Sequence, residues 1–572
     1  MELLEPYHSK SELADLHEVV VRSLTNHPVN LLRVDVLFLH PPALYDFRNR
    51  PFFPGPIFKG SASQFVAMPV GLLSMAEFLE RNGYEVKIVN LGEFMVSSER
   101  FDVEQFIKKS DASVYAIDLH WCAHSQGAIE IARRCKAHRP DALVVVGGMT
   151  ATRFDVEILK RFPFIDIVVR GESEKAFLKL ANAYTDHGAI IKVPNITYRK
   201  GNRKIWSNQL MKVDDNLDKY DFTRLDLVTP RVKAWYVPIC RGCIYNCATC
   251  GGSAYTYKTL YGREKPAFRH PNKIVEDLQK LTDQGVDEVF LFQDPRIAGE
   301  KYWKELISAL CKEKPNLRLM EIELFNPCGK ELLEDLKTLE IPIVLTMSPE
   351  SGNESVRKAH GRNYSNEDIL RTVINCLKYR MRIGVFFMIG LGQENYTTIE
   401  ETWGLCERIY ELERFERIGT DQQLLPGPLW AKPEIGAMIL LDPGSLAFEF
   451  PDVYGYKLVF KTFRDYYEGL SMPFWSQWIS YETLFLNRKQ IATLSLDSLE
   501  KMAQFQEKYG LYSEGMDNAA LSLQRFKLNL DRFLIVEADR IFQLKSLSER
   551  DARLKTLSNI SSEYLGPEIS LG

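Results

Sequence analysis

From Val34 onward, short apolar runs bounded by turn residues alternate with amphipathic stretches. That alternation predicts βα units on a parallel sheet. The first series of strands reads VDVLFLH (34–40), YEVKIVNL (84–91), SVYAIDL (113–119), ALVVVGG (142–148) and IDIVVRG (165–171), with helical stretches such as GLLSMAEFLERNG and GAIEIARRCKAHRP between them. A doubly wound, Rossmann-like α/β domain over residues 31–180 is expected, with ligands in the crevice beyond the carboxyl ends of its strands. Residues 1–30, with LADLHEVVVRSL at helical spacing, read as a helical extension. Residues 181–230 read as a linker with a small hairpin, NITYRKGNRKIWSN.

A second series follows: AWYVPIC (234–240), DEVFLFQD (287–294), LRLMEIELF (317–325), IPIVLTMSPE (341–350) and RIGVFFMIGLG (382–392). It suits a full or partial β/α barrel over 231–430, with chemistry at the strands' C-terminal ends. Residues 431–572 read as an aromatic-rich, then mainly helical, C-terminal domain. There Tyr454, Tyr456, Trp475, Trp478 and Tyr481 could line a substrate cavity or simply pack as a satellite core.

Composition narrows the function classes. At 572 residues the chain exceeds one ordinary core. A net charge of −4 gives no general pull toward nucleic acid, and no nucleic-acid partner is expected. The longest apolar stretches, such as Ile383 to Leu391, run for about nine residues, whereas a membrane span needs roughly 20. The opening MELLEPYHSK lacks the basic and apolar segments of a signal peptide. No transmembrane segment and a cytoplasmic location are therefore expected. Of ten cysteines, four crowd into 240–250; thin spacing with one tight cluster suggests a metal site in a reducing compartment.

The cluster reads CRGCIYNCATCGG. Its core, Cys243-x3-Cys247-x2-Cys250, follows directly on an apolar strand, so one loop can fold three thiolates around a cubane and leave the fourth iron open. Three protein ligands and a free position mark a reactive site. The bland readings are a zinc knuckle, which normally separates its two C-x2-C pairs by about 15–20 residues, and an electron-transfer cluster, whose C-x2-C-x2-C-x3-C order is absent. At these residues the chain resembles the radical S-adenosylmethionine (SAM) superfamily, whose signature is C-x3-C-x-Φ-C with Φ usually aromatic. Thr249 stands at Φ, which weakens a contact on the adenine side and leaves the ligands intact. Cys240 lies outside the signature and reads as the end of its strand.

The resemblance implies a [4Fe–4S] cluster on Cys243, Cys247 and Cys250, with SAM held by polar groups at later strand ends. The candidates are Gln293 and Asp294, then Ser348, Glu350 and Ser351 in TMSPESGNESVRKAHGR, each of which could instead be a structural partner at the barrel mouth. Gly390 and Gly392 in MIGLGQEN offer close backbone approach to a ligand, or merely a tight turn.

An α/β domain ahead of such a barrel resembles the cobalamin-binding, class B methyltransferase-like members of the superfamily, through FLHPPALYDF, MPVGLLSMAEFLERNGYEVKIVNL, VVVGGMTAT and DIVVRGESE. The corrin would then lie over Leu39, His40, Pro41 and Pro42; Asp118, Leu119, His120 and Trp121; Gly147, Gly148, Met149 and Thr150; and Gly171 and Glu172. The Asp-x-His-x-x-Gly motif that supplies a lower axial histidine is absent, and His40 and His120 are the imidazoles nearby. No Gly-x-Gly-x-x-Gly follows the first strand, which argues against a dinucleotide. Methylthiolating relatives carry three further cluster cysteines in this domain, where this chain has only Cys122 and Cys135.

What the resemblance implies is reductive cleavage of SAM to methionine and a 5′-deoxyadenosyl radical, which abstracts hydrogen from an unactivated carbon, with C-methylation as the outcome. Ring or carbon–carbon bond formation on a lipid or tetrapyrrole is the alternative, and a non-catalytic cobalamin or iron–sulfur sensor a further one. A small-molecule, lipid or peptide substrate and a flavodoxin- or ferredoxin-type electron donor are the partners implied.

Overall fold

A computed structural model describes residues 33–48, 65–98, 100–200, 204–418, 429–511 and 518–565. The helical extension expected over 1–30 lies outside the described residues. The first sheet is built from β1 (Arg33–His40), β2 (Val86–Asn90), β3 (Asp111–Asp118), β4 (Leu143–Gly147), β5 (Ile167–Val169), β6 (Ile196–Lys200), β7 (Lys204–Ser207) and β8 (Val228–Thr229), in the order β7-β6-β5-β4-β3-β1-β2-β8. Strands β1 to β5 are parallel. Their cores are buried on both faces, as in Phe38, Leu39, Val144, Val145 and Val146; this two-sided burial is why they read as unbroken apolar runs.

From β1 the chain steps to β2 on one side and to β3 on the other. The crevice at that reversal lies above His40 and Asp118, the last residues of β1 and β3. Helix α1 (Ser125–His138) packs close to the turn after β1. A Cβ on its Gly127 would lie 1.8 Å from the Pro42 carbonyl oxygen, and the Gly127 N–H donates to the Ala43 carbonyl at 3.0 Å.

Residues 181–230 do not stand apart as the expected linker. Their hairpin, β6–β7, pairs antiparallel with β5, and β8 joins β2 at the opposite edge. Both pieces are short or polar, and edge strands tolerate that because one side of each faces no neighbour.

The second sheet holds β9 (Ala234–Pro238), β12 (Glu288–Phe292), β13 (Leu319–Leu324), β14 (Ile343–Glu350), β15 (Arg382–Ile389) and β16 (Ala431–Ala437), in that spatial order and all parallel; β10 (Cys240–Arg241) and β11 (Ala267–Phe268) make a two-residue ladder beside the cluster loop. It is an open, partial barrel. The sixth strand, β16, falls in the region expected as a separate C-terminal domain, so the barrel runs past residue 430. Its sequence AKPEIGA carries half-buried Lys432 and Glu434 and a proline, which an edge strand accepts but an apolar-run search passes over.

Residues 441–483 pack as core. Tyr456, Trp475, Trp478 and Tyr481 are buried; the Trp478 indole N–H donates to the Met472 carbonyl at 2.8 Å and the Tyr481 hydroxyl to that of Met438 at 2.5 Å. None of the four lines the cavity at the carboxyl ends of the two sheets. Three helices close the chain, α2 (Arg488–Tyr509), α3 (Asn518–Gln543) and α4 (Leu547–Leu565). No helix among the described residues is long and apolar enough to cross a membrane.

Candidate active site

The carboxyl ends of both sheets open on one cavity of about 640 Å³, within the range of small-molecule sites. One wall is the loop after β9. Cys243, Cys247 and Cys250 all line the cavity and all carry free thiols. The Tyr245 N–H points at Cys243 Sγ at 3.4 Å and the Gly252 N–H at Cys250 Sγ at 3.2 Å, donors of the kind that steady cluster sulfurs. Burial raises all three thiols. Among the described residues no group of three or more His, Cys, Asp or Glu side chains gathers closely enough for a single metal ion. The free, cavity-facing thiols fit the cluster.

Cys240 also borders the cavity but is buried, with its thiol engaged elsewhere. Its N–H and Sγ–H both donate to Gln293 Oε1, at 3.1 and 3.0 Å. Gln293, held at φ +84°, thus lines the cavity while tying down the start of the cluster loop. The loop is gripped from two further sides: Ala248 N–H donates to the His360 carbonyl and Ala447 N–H to that of Ala248. Asp442 Oδ2 accepts from Gly251 N at 3.0 Å, and its Oδ1 from the Cys122 thiol at 3.7 Å. Asp442 therefore joins the C-terminal segment, the cluster loop and the first domain.

Beside the cysteines stand two charged groups that the sequence reading passed over, Glu323 and Arg362. Burial pushes the Glu323 carboxyl up to about 7, against the pull of Arg362. Burial opposes the Arg362 charge too, but Glu350, whose Oε1 lies 2.6 Å from Arg362 Nη2, more than offsets this and keeps it protonated. A register shift in β14 between Met347 and Glu350 re-aims this strand end, as bulges do; Ser348 faces the cavity and Glu350 backs Arg362. The signal for Glu323 was present in LRLMEIELF, where Glu321 and Glu323 alternate with apolar residues and share the inward face.

Other expected SAM-side residues lie off the cavity. Asp294 is buried in an ion pair with Arg296, at 2.6 Å, and accepts from Phe325 N at 2.9 Å. Ser351 is buried, and its hydroxyl accepts from Asn353 N. Gly390 and Gly392 serve packing rather than a ligand: a Cβ on Gly390 would meet the Tyr481 hydroxyl at 2.6 Å, and one on Gly392 the Tyr454 carbonyl at 1.8 Å. Their turn is held by buried Glu394, whose Oε2 accepts from Gly390 N at 2.8 Å and Leu391 N at 3.3 Å.

Burial raises Glu394 from 4.5 to about 8, with those two N–H groups pulling it back. The folded state keeps a proton there that the unfolded chain has already lost. This contribution to stability is complete below about pH 4.5 and disappears as pH rises through about 8. Glu394→Gln keeps an acceptor for the turn, so its melting temperature is expected to fall less than that of the parent protein between pH 6 and pH 9; equal slopes would show that the carboxyl does not titrate in that window.

On the first sheet, Asp118, His120, Trp121, Gly147, Gly148, Met149, Thr150, Gly171 and Glu172 line the cavity. Leu39, His40, Pro41, Pro42 and Leu119 do not; they are buried. His40 Nδ1 hydrogen-bonds Asp118 Oδ2 at 2.9 Å, and burial lowers the imidazole to about 3, so it supports Asp118 from below and presents nothing to the cavity. His120 does face it, kept neutral by burial. Its backbone is fixed: Thr150 N and Oγ1 both donate to the His120 carbonyl, at 3.0 and 2.9 Å. Gly148, at φ +115°, lets the two loops touch, since a Cβ there would sit 2.6 Å from His120 N and Cα. Glu172 also reaches across to the second sheet's loops, pairing with Arg263 at 2.5 Å and Arg241 at 3.4 Å. This glycine-bordered floor at the switch point fits a bulky corrin.

Residues 237–406 match the model of the radical SAM superfamily, and residues 60–181 that of the B12 binding domain. The chain is 26% identical to the hopanoid C-3 methylase of Methylococcus capsulatus over 43% of its own length and 46% of that protein. It is 23% identical to an uncharacterized methyltransferase of Pyrococcus horikoshii (60% and 73%) and 24% identical to the anaerobic magnesium-protoporphyrin IX monomethyl ester cyclase of Rubrivivax gelatinosus (59% and 61%). The chain thus spans under half of the first of these relatives and under two thirds of the third. Among solved structures it shares its fold with the radical SAM methyltransferase TsrM of Kitasatospora setae (TM-score 0.58, 15% identity, 91% of this chain and 99% of that one) and with the cobalamin-dependent radical enzyme OxsB (0.53, 14%, 93% and 75%). The chain thus carries a B12-binding domain and a radical SAM domain whose strand ends face one cavity, and its cofactors are a [4Fe–4S] cluster, SAM and cobalamin.

Proposed function

We propose that this enzyme transfers a methyl group from SAM, by way of cobalamin, to an unactivated carbon of a substrate held between the two sheets. The observation that carries the proposal is the shared cavity: cluster thiols on one wall, the first sheet's strand-end loops on the other. Bound there, the cluster and a reductant supply the electron that cleaves SAM, and cobalamin supplies a methyl carrier.

The protein's own work is to bind, orient and exclude water. Cys243, Cys247 and Cys250 hold the cluster. Glu323 and Arg362, both on the cavity wall with the cysteines, would hold the methionine end of SAM, Glu323 through its ammonium and Arg362 through its carboxylate. Gln293 and Ser348 complete that side. Asp118, His120, Trp121, Gly147, Gly148, Met149, Thr150, Gly171 and Glu172 form the cobalamin floor. Gly148→Ala is expected to lower cobalt occupancy of the purified protein roughly tenfold while iron content stays, because the added Cβ forces the His120 loop out of place; unchanged cobalt would remove that loop from the floor.

The test uses reconstituted enzyme, reductant, SAM with a trideuterated methyl group, and an anaerobic small-molecule extract. A product heavier by one trideuteromethyl group in place of hydrogen supports methylation. An unlabelled product lighter by two hydrogens would replace it with ring formation, the chemistry that the cyclase relative's name carries.

A further inference from the structure

The barrel side of the cavity is an aromatic wall. Tyr236 on β9 and Phe290 and Phe292 on β12 occupy inward positions; the ring centroids lie 5.7 Å apart from Tyr236 to Phe290 and 6.0 Å from Phe290 to Phe292. Phe325, just past β13, continues it, 6.0 Å from Tyr245 of the cluster loop, with Leu324 beside it. Phe292 is 44% exposed although it projects into the cavity from a barrel strand. An aromatic ring left in water inside a concave site is the mark of a surface that a ligand covers.

The charged groups around this wall have partners. Arg269 is paired with Asp277 and Arg241 with Glu174; Glu172 is held by Arg263, and Asp442 by the Gly251 N–H and the Cys122 thiol. Glu323 and Arg362 are committed to SAM on the reading above. Asp118 and Asp442 are hydrogen-bonded only by uncharged groups, but among the described residues of the cavity no basic side chain beyond Arg362 is left to neutralise an anion, and bringing one in would leave its charge buried and unpaired.

We infer that the substrate of this site presents an apolar ring system free of anionic groups to the wall of Tyr236, Phe290, Phe292 and Phe325. The inference rests on the methyl-transfer reading for the placement of SAM and cobalamin, and it deepens that reading to a substrate class. Peptide and polyanionic substrates are disfavoured by the same wall.

Equilibrium dialysis of SAM-loaded holoenzyme against pyrene and against pyrenetetrasulfonate tests it, since the two share a ring system and differ in charge. Pyrene is expected to bind with one site per chain and the tetrasulfonate not at all; Phe292→Asp should weaken pyrene by about tenfold or more, and Phe290→Ser should weaken it in the same direction, with iron and cobalt content reporting that both variants fold. Equal binding of the two probes by the parent enzyme, or pyrene binding indifferent to both substitutions, overturns the inference. So does a Phe292→Asp variant that loses SAM and keeps pyrene, because adenine would then be what covers the ring. If trideuteromethyl transfer fails while pyrene binding follows the expected pattern, the function reading falls and the apolar site stands.

Discussion

Replacing Cys247 with alanine is expected to leave a folded protein that retains less than one iron–sulfur cluster per chain and produces no 5′-deoxyadenosine above background, a loss of about three orders of magnitude or more. The expectation follows from how little else is at hand. Cys240, the nearest spare thiol, is buried and engaged with Gln293, and Cys122 donates to Asp442 across the cavity. Neither can substitute without unmaking a contact that fixes the loop. Cys247 itself is half-buried, and its neighbour Ala248 anchors the loop through its own N–H and carbonyl, so the fold does not depend on the thiol. Iron content and product analysis check the result. A Cys240→Ala variant, by contrast, should keep its iron.

The second large effect concerns Arg362. Its guanidinium neutralises Glu350, whose other oxygen has no protein partner. Arg362→Ala leaves that carboxylate buried alone, a cost of about 3–5 kcal/mol in stability, and removes the cation facing the SAM carboxylate, with an expected loss of roughly 100-fold in SAM affinity. Pairing the change with Glu350→Gln separates the two consequences. The double variant should recover most of the stability, since no charge is stranded, and none of the SAM affinity. Lysine at 362 should restore charge without the two-pronged geometry and so recover affinity only in part. Thermal melts and SAM titration of the reconstituted protein measure both; a double variant that regains SAM binding would show that Arg362 acts only on the fold.

What could be read from the chain alone follows from how each feature is encoded. The parallel strands were legible because burial on both faces writes them as apolar runs, from VDVLFLH to RIGVFFMIGLG. β16 was not, because Lys432, Pro433 and Glu434 break its run, which an edge strand tolerates. The cluster loop was legible because three thiols at fixed spacing have few other uses. For Gly390 and Gly392 the tight-turn alternative holds, because there the missing Cβ serves close packing against Tyr481 and the Tyr454 carbonyl. His40 and Asp294 sit at strand ends, where ligands bind, but their partners, Asp118 and Arg296, already occupy them. Spacing along one strand cannot reveal a partner from another. Glu323 was the recoverable omission, a carboxylate on the inward face of an otherwise apolar strand.

The proposed methyl transfer requires that cobalamin and the iron–sulfur cluster share one cavity. Electron paramagnetic resonance of enzyme carrying cob(II)alamin, recorded before and after the cluster is reduced, addresses this directly. Reduction should broaden the cobalt signal and speed its relaxation through coupling to the nearby cluster spin, and Cys247→Ala should abolish that change. A cobalt signal indifferent to the state of the cluster would contradict the shared cavity.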